Sequence, residues 1–375
     1  MWLTSSSVGR KFVMALTGIA LVLFVTFHCL MNSVAILWPT AYNQICEFLG
    51  ANWYALAASL GLAILFVIHI FYAVWLTLQN RAARGHNRYA ISKRPAGVEW
   101  SSQNMLVLGI VIAAFLAVHL IQFWAKMQLV EICGEHGTVP PAAGTLFIQE
   151  AFGCIWTPVV YIIGFAALWF HMNHGFWSMF QTIGWDNTIW IPRLKKIGAW
   201  WTGIVIALFV AQAVVFTINS NKKFYTTDPD LRAQYAEMAA EPLSEVFGES
   251  IKYDGIVYEQ VKNLATQVAM EPEMAVMSIA SQAQLDPKMV AEKLLWLGNF
   301  VNYIEGVKAV DLTLLEQVAE KAGQQQGQQP AGMDPQMQAM PQDMPADMPE
   351  EAEAYEEAGE VEAVDAPADV DNANN

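Results

Sequence analysis

Five long apolar stretches dominate the chain, at about Phe12–Trp38, Trp53–Leu78, Asn104–Trp124, Trp156–Phe180 and Gly198–Asn219. Each is long enough to cross a hydrocarbon core of ~30 Å, which takes ~20 helical residues. Aromatic residues gather near their ends, among them Trp38, Trp53, Trp100, Trp124, Trp156, Trp190, Trp200 and Trp201. Such positions suit the interface between membrane and water. The first stretch is not a secretory signal, because its apolar run is too long and no small-residue cleavage site follows it. The pattern predicts an all-α fold built on a five-helix transmembrane bundle.

The pattern changes after the fifth stretch. From about Asp228 to Lys321, apolar positions recur near the helical period: Leu264, Val268, Val276, Ile279, Leu294, Leu295, Leu297, Phe300, Val301, Ile304, Leu314 and Leu315. Pro272 and Pro287 stand where helices can restart. This reads as a small helical domain or a partner-binding arm. Beyond Gly323 the sequence turns to Gln, Met, Pro, Ala and Glu, a low-complexity composition that is expected to be disordered. The expected organisation is a membrane domain over 1–222, a helical extramembrane extension over 223–322 and an acidic tail over 323–375.

Charge sharpens this division. Of the 375 residues, 55% are hydrophobic and 15% charged. The net charge of −15 is unevenly placed: residues 1–219 carry 11 Lys and Arg against 6 Asp and Glu, and residues 220–375 carry 9 against 29. Acidity therefore belongs to the C-terminal part. Arg10 and Lys11 precede the first span, Arg81, Arg84, Arg88, Lys93 and Arg94 lie between the second and third, and Arg193, Lys195 and Lys196 lie between the fourth and fifth. The other two connections carry mainly Glu47, Glu131, Glu135 and Glu150. The positive-inside rule puts the N-terminus and the basic connections in the cytoplasm, and five crossings leave the C-terminal part in a periplasm. No nucleic-acid partner is expected.

The candidate chemistry lies in histidine. Of 7 His, His86 and His136 fall in connections, while His28, His69, His119, His171 and His174 lie inside spans. An ionisable residue within a span is costly and points to function. His28 lies ~24 Å from the inner end of its span and His119 ~22 Å. The second and fourth spans run the other way, with His69 ~24 Å and His171 ~22 Å from the outer end. His28 and His119 thus share an outer layer, and His69 and His171 an inner one. Two imidazoles at one depth on different helices are what a low-spin bis-His haem requires. The alternative is helix-bridging hydrogen bonds or a proton relay, which explains four histidines in two matched layers less well. His171 and His174 also form H-x-x-H, a weak metal signal; His171 matches His69 in depth, which leaves His174 near a haem edge or propionate. The 4 Cys include no CxxC or CxxCH, which argues against c-type haem and against a Cys-ligated cluster in this chain.

Over about residues 1–230 the chain resembles the di-haem cytochrome b membrane anchor of bacterial succinate dehydrogenase and fumarate reductase, the type with a single five-helix anchor. The matching stretches are SSSVGRKFVMALTG, VTFHCLMN around His28, VIHIFYAVWL around His69, AVHLIQF around His119 and FHMNHGFWS around His171. The resemblance implies two b haems, one on His69 and His171 near the cytoplasmic subunits and one on His28 and His119 farther out. It implies two soluble partners, a flavoprotein subunit with FAD and an iron–sulfur subunit with three clusters, and a membrane quinone, menaquinone, as substrate. It places no succinate site in this chain, and anchors of this family are often found in dimeric complexes. In di-haem members a carboxylate after the first span is associated with quinone chemistry, and Glu47 occupies a comparable place; a solvated loop carboxylate is the alternative. Some members carry a Glu two residues before the fourth-span ligand, where this chain has Trp169, so a proton path through that position is not expected here. The family offers nothing for the residues after about Asp230, whose partner is unknown.

Remaining residues have plainer readings. Ser5, Ser6, Ser7 and Arg10, or Arg81, Arg84 and Lys93, lie where propionate donors are needed, though each is also explained by its place at a cytoplasmic edge. An oxidising outer compartment permits a disulfide, with Cys133–Cys154 favoured. Cys29 reads as a small apolar residue, and Cys133, Glu135 and His136 make an incomplete zinc set. The rival functions are a His-containing transporter or proton-relay protein without haem, against which the lack of an inverted repeat weighs, and a structural anchor that has lost its haem.

Overall fold

In the computed structural model, residues 6–50, 52–84, 99–133, 137–248 and 257–326 are described, and among them there is no β-strand. The first helix, α1 (Ser7–Leu37), begins at Ser6, whose hydroxyl accepts from the Gly9 N–H at 2.9 Å and satisfies an otherwise orphaned donor. It ends at Trp38, where the following proline disfavours a helical backbone. A short helix α2 (Pro39–Gly50) leads into α3 (Trp53–Arg84). The next long segment is α4 (Trp100–His119), a π-helical turn (Leu120–Trp124) and α5 (Ala125–Cys133) in one continuous run. A short α6 (Gly144–Gly153) precedes α7 (Trp156–Thr182) and α8 (Trp190–Asn221).

Five of these segments are long and apolar enough to cross a membrane: Ser7–Leu37, Trp53–Ala83, Trp100–Cys133, Trp156–Thr182 and Trp190–Asn221. They coincide with the expected spans but run further. A helix of 31 residues is ~46 Å long, well beyond a ~30 Å core. The extra turns carry charges into the interface. Arg10, Lys11, Arg81, Arg84, Arg193, Lys195 and Lys196, read from sequence as connection residues, therefore sit on helices. Arg88, Lys93, Arg94 and His86 lie outside the described residues, as do Ser5, Glu135 and His136. The carboxylates Glu47 and Glu150 likewise belong to helices, α2 and α6, and not to loops.

The helix α7 is the hub of the bundle, packing on α8, α4 and α1, while α3 leans mainly on α1 and buries none of its most apolar stretch in protein. Close approaches depend on small residues, as expected where lipid supplies no hydrophobic drive between helices. At Gly164 of α7 an added Cβ would collide with the Phe115 ring of α4, and at Gly198 of α8 it would fall 2.7 Å from the Phe176 ring of α7.

We call the end of the bundle that holds Ser7 proximal and the end that holds Leu37 distal. The chain leaves α8 distally through Lys223, at φ 55° in the left-handed region. It then forms α9 (Phe224–Thr227), α10 (Pro229–Phe247), α11 (Tyr258–Met270), α12 (Pro272–Ala283), α13 (Pro287–Glu305) and α14 (Thr313–Gln326). The helices do restart at Pro272 and Pro287, and Asp286 caps the latter by accepting from Lys288 N–H at 3.0 Å. Of the expected apolar positions, Val268, Val276, Leu294, Leu297, Phe300, Val301, Ile304 and Leu315 are buried, whereas Leu314 is exposed. This extension is not a free appendage: its core is continuous with that of the bundle. The acidic tail beyond Gln326 lies outside the described residues.

One buried asparagine ties the two parts together. Asn43 of α2 donates to Gln234 Oε1 of α10 at 2.9 Å, while its Oδ1 accepts from both the backbone N–H and the hydroxyl of Thr145 in α6, each at 2.9 Å. Thr145 Oγ1 lies 2.8 Å from the Tyr235 hydroxyl, which itself donates to the Tyr225 carbonyl at 2.8 Å. Trp296 Nε1 donates to the Gly137 carbonyl at 2.7 Å, and Tyr303 donates to Glu150 at 3.0 Å. All four cysteines are free. The disulfide expected between Cys133 and Cys154 is not formed: both are exposed at helix ends, and nothing packs one against the other. Cys46 instead packs against Gly144, and Cys29 is buried as expected.

Replacing Asn43 with Leu leaves the Thr145 amide buried without an acceptor, a loss of about 1–3 kcal/mol. We expect a lower thermal unfolding midpoint in detergent and faster proteolysis within α10–α14, with the five spans still protected.

Candidate functional site

The four helix-borne histidines meet in two pairs. His28 of α1 and His119 of α4 have ring centres 5.7 Å apart, nearly perpendicular at 87°. His69 of α3 and His171 of α7 have ring centres 6.3 Å apart at 64°. The levels of the pairs follow from their neighbours. Thr17 of α1 touches His69, eleven residues before His28, which separates the levels by ~16 Å. On α7, Tyr161 touches His119 ten residues before His171, giving ~15 Å. Two helices running in opposite directions thus agree. His28 and His119 form the distal pair, and His69 and His171 the proximal one, as their depths in sequence suggested.

The local surroundings hold each ring. His28 stacks on Phe24, one turn earlier, at 5.5 Å and 25°. His119 lies between Phe115 and Phe123 of its own helical segment, at 6.1 and 5.4 Å. The Nδ1 of His119 is 3.1 Å from the Tyr161 hydroxyl, and the Nδ1 of His69 is 3.0 Å from the Thr17 hydroxyl. His171 Nδ1 is buried and has no hydrogen-bond partner among the described residues. On His28 the contact is to the other nitrogen: Asn32 Nδ2 donates to Nε2 at 3.2 Å, and also to the His28 carbonyl at 2.8 Å.

The donor set can be tested against a haem. A metal–imidazole bond of about 2 Å on each side of an ion puts the two ring centres about 6 Å apart, which both pairs approach. Each level offers two imidazoles, and no group of three His, Cys, Asp or Glu converges on a metal position among the described residues. A pair of imidazoles would suit an ion whose remaining ligands come from a macrocycle. The two-imidazole donor set is of the kind a bis-imidazole haem would use, most directly at the proximal level. At the distal one the Asn32 contact to His28 Nε2 would have to give way.

His174 stands apart from both pairs. Its Nδ1 lies 3.2 Å from Glu99 Oε2, and Lys195 donates to Glu99 Oε1 at 2.9 Å. Lys195 also sits over the Trp177 ring at 4.0 Å. Glu99, just before α4, thereby clips α4 to α7 and α8 at the proximal end. Arg10, one of the donors considered for propionates, lies over the Trp75 ring at 5.5 Å. Glu47 is exposed on α2. Glu131, another distal carboxylate, presses on the end of α2, since a Cβ at Gly50 would fall 2.7 Å from its Oε1.

Sequence reading missed Thr17, Tyr161, Gln122 and Glu99. The first three had a usable signal, being polar residues inside apolar spans, where each needs a partner. Comparison with protein-family models, with curated proteins and with solved structures finds no match for this chain.

Burial would raise the Glu99 pKa, but the bonds from Lys195 and His174 outweigh it and hold the carboxylate below its ordinary value of 4.5. A depressed carboxylate contributes stability above its unfolded pKa and loses it as pH falls through the folded one. Hydrogen exchange in the second turn of α4, relative to its intrinsic rate, should stay slow from neutral pH through about 4.5 and rise only below it. In Lys195→Met the rise should begin at a higher pH.

Proposed function

We propose that this chain is the membrane-anchor cytochrome b subunit of a succinate:quinone oxidoreductase, a succinate dehydrogenase or fumarate reductase, and carries electrons between an iron–sulfur subunit and a membrane quinone. The observation that carries the reading is the pairing of imidazoles from four different apolar helices at two levels. Two haem b groups would be held, one by His69 and His171 and one by His28 and His119, and would supply one-electron carriage when bound. The motifs around these four histidines, FHMNHGFWS above all, support the family resemblance.

The protein's own part is to hold and insulate. Burial among Phe24, Phe115, Phe123 and Phe209 keeps water from the distal imidazoles. The proximal end carries Arg10, Lys11, Arg81, Arg84, Arg193, Lys195 and Lys196, which supports a cytoplasmic placement facing a flavoprotein subunit with FAD and an iron–sulfur subunit. The distal cap would then face a periplasm across a bacterial inner membrane. The quinone, menaquinone by resemblance, would meet the chain within the bilayer, with Glu47 as a proton acceptor at the distal edge.

A second reading keeps the histidines unliganded in a proton-relay or transport protein. The hydrogen bond from Asn32 to His28 Nε2 favours it, because that nitrogen is one an iron would occupy.

Haem content and the reduced-minus-oxidised visible spectrum of the purified chain separate the two. The first reading predicts two b haems per chain, loss of one in each of His28→Ala, His69→Ala, His119→Ala and His171→Ala, and retention of both in His174→Ala. A folded preparation without haem would overturn the first and favour the second.

A further inference from the structure

The two imidazole pairs share a device on one ring each. His69 and His119 come from different helices and lie at different levels, yet each turns Nδ1 to a hydroxyl on a neighbouring helix, at 3.0 Å for Thr17 and 3.1 Å for Tyr161. A hydroxyl can give one proton and receive another. In both cases its own proton goes elsewhere. Thr17 Oγ1 donates back along α1, to the Val13 carbonyl at 3.0 Å and the Met14 carbonyl at 3.1 Å. Tyr161 donates to Gln122 Oε1 at 3.0 Å. With its own proton so engaged, each oxygen is placed to accept from the ring. In this arrangement the imidazole proton belongs on Nδ1, and Nε2 keeps its lone pair free.

The distal arrangement has one more joint. Gln122 can only present Oε1 to Tyr161 if its amide nitrogen has an acceptor, and Nε2 donates to Thr157 Oγ1 at 3.2 Å. Every bond thus points away from the ring: His119 to Tyr161, Tyr161 to Gln122, Gln122 to Thr157. Gln122 belongs to the π-helical turn that follows His119. Such turns widen a helix by one residue and recur at functional sites; here the turn carries the side chain that orients Tyr161. Both ends of the chain are firmly seated, since Tyr161 and Thr157 are buried.

We infer that Thr17 and Tyr161 are positioning residues that fix the Nδ1–H tautomer of His69 and His119 and present Nε2 as the ligating nitrogen. The inference rests on the di-haem reading. Hydrogen bonding at Nδ1–H raises the basicity of the opposite nitrogen. A more basic axial ligand favours the oxidised iron and lowers the reduction potential of its haem, one of the levers by which a protein tunes such a group. Each hydroxyl acts on its own level alone, because the levels are ~15 Å apart. The partners His28 and His171 have no such hydroxyl at Nδ1 in the described residues.

The experiment is a potentiometric titration of the haems in Tyr161→Phe and Thr17→Val, both of which keep the packing volume, with Gln122→Leu as a graded third variant. Haems are assigned to levels with His119→Ala and His69→Ala. Tyr161→Phe should retain two haems and raise the potential of the distal one alone, by up to a tenfold change in its reduction equilibrium, or about 59 mV for one electron. Thr17→Val should do the same at the proximal level alone, and Gln122→Leu should give a smaller distal shift. Unchanged potentials at full haem content, or equal shifts of both haems in either variant, would overturn the inference and leave the cytochrome reading standing. An unsubstituted chain without haem would overturn the reading itself.

Discussion

A neutral imidazole in hydrocarbon has two demands, a proton to give away and a lone pair to be met, and no water nearby to meet either. Most of the interior of this bundle can be understood as the answer to that demand. Four helices each carry one such ring to within about 6 Å of another. Thr17, Tyr161 and Asn32 then stand against three of the four. Other polar residues of the spans turn back on their own helix, as Thr26 and Thr77 do, or, like Gln212, bridge backbone and hydroxyl across α1 and α8.

The same economy shapes the packing between helices. Where α7 meets α4, Gly164 lets the Phe115 ring come against the backbone, and that ring is also one wall around His119. Helix contact and histidine environment are therefore one structural matter. At the distal face the chemistry changes from apolar contact to dense hydrogen bonding. Asn43, Thr145, Gln234 and Tyr235 seal the extension onto the bundle.

The parts legible in the sequence were those set by local pattern. The spans, the restarts at Pro272 and Pro287 and the pairing of histidines by depth all follow from periodicity and a fixed rise per residue. What could not be read was set by contacts between distant segments. Asn43 meets Gln234 across 191 positions, and nothing around either residue marks it as a lock. Glu99 looks like one more connection carboxylate until α7 and α8 bring His174 and Lys195 to it. The favoured Cys133–Cys154 bridge failed because sharing a side of the membrane says nothing about two side chains meeting.

The seal at Asn43 has a consequence for how the protein is made. Its members come from α2, α6 and α10, which straddle four of the five spans. The bonds from Thr145 to Asn43 need the second and third spans in place, and the bond from Asn43 to Gln234 cannot close until the last span has been released. The long loops it closes add little in entropy per further residue, but the order of events is strict. A chain with one span inserted the wrong way would strand α10 on the opposite side from α2, leaving the apolar face of the extension uncovered. Completion of the cap is thus a report, written in the protein itself, that the four later crossings were made in register with one another.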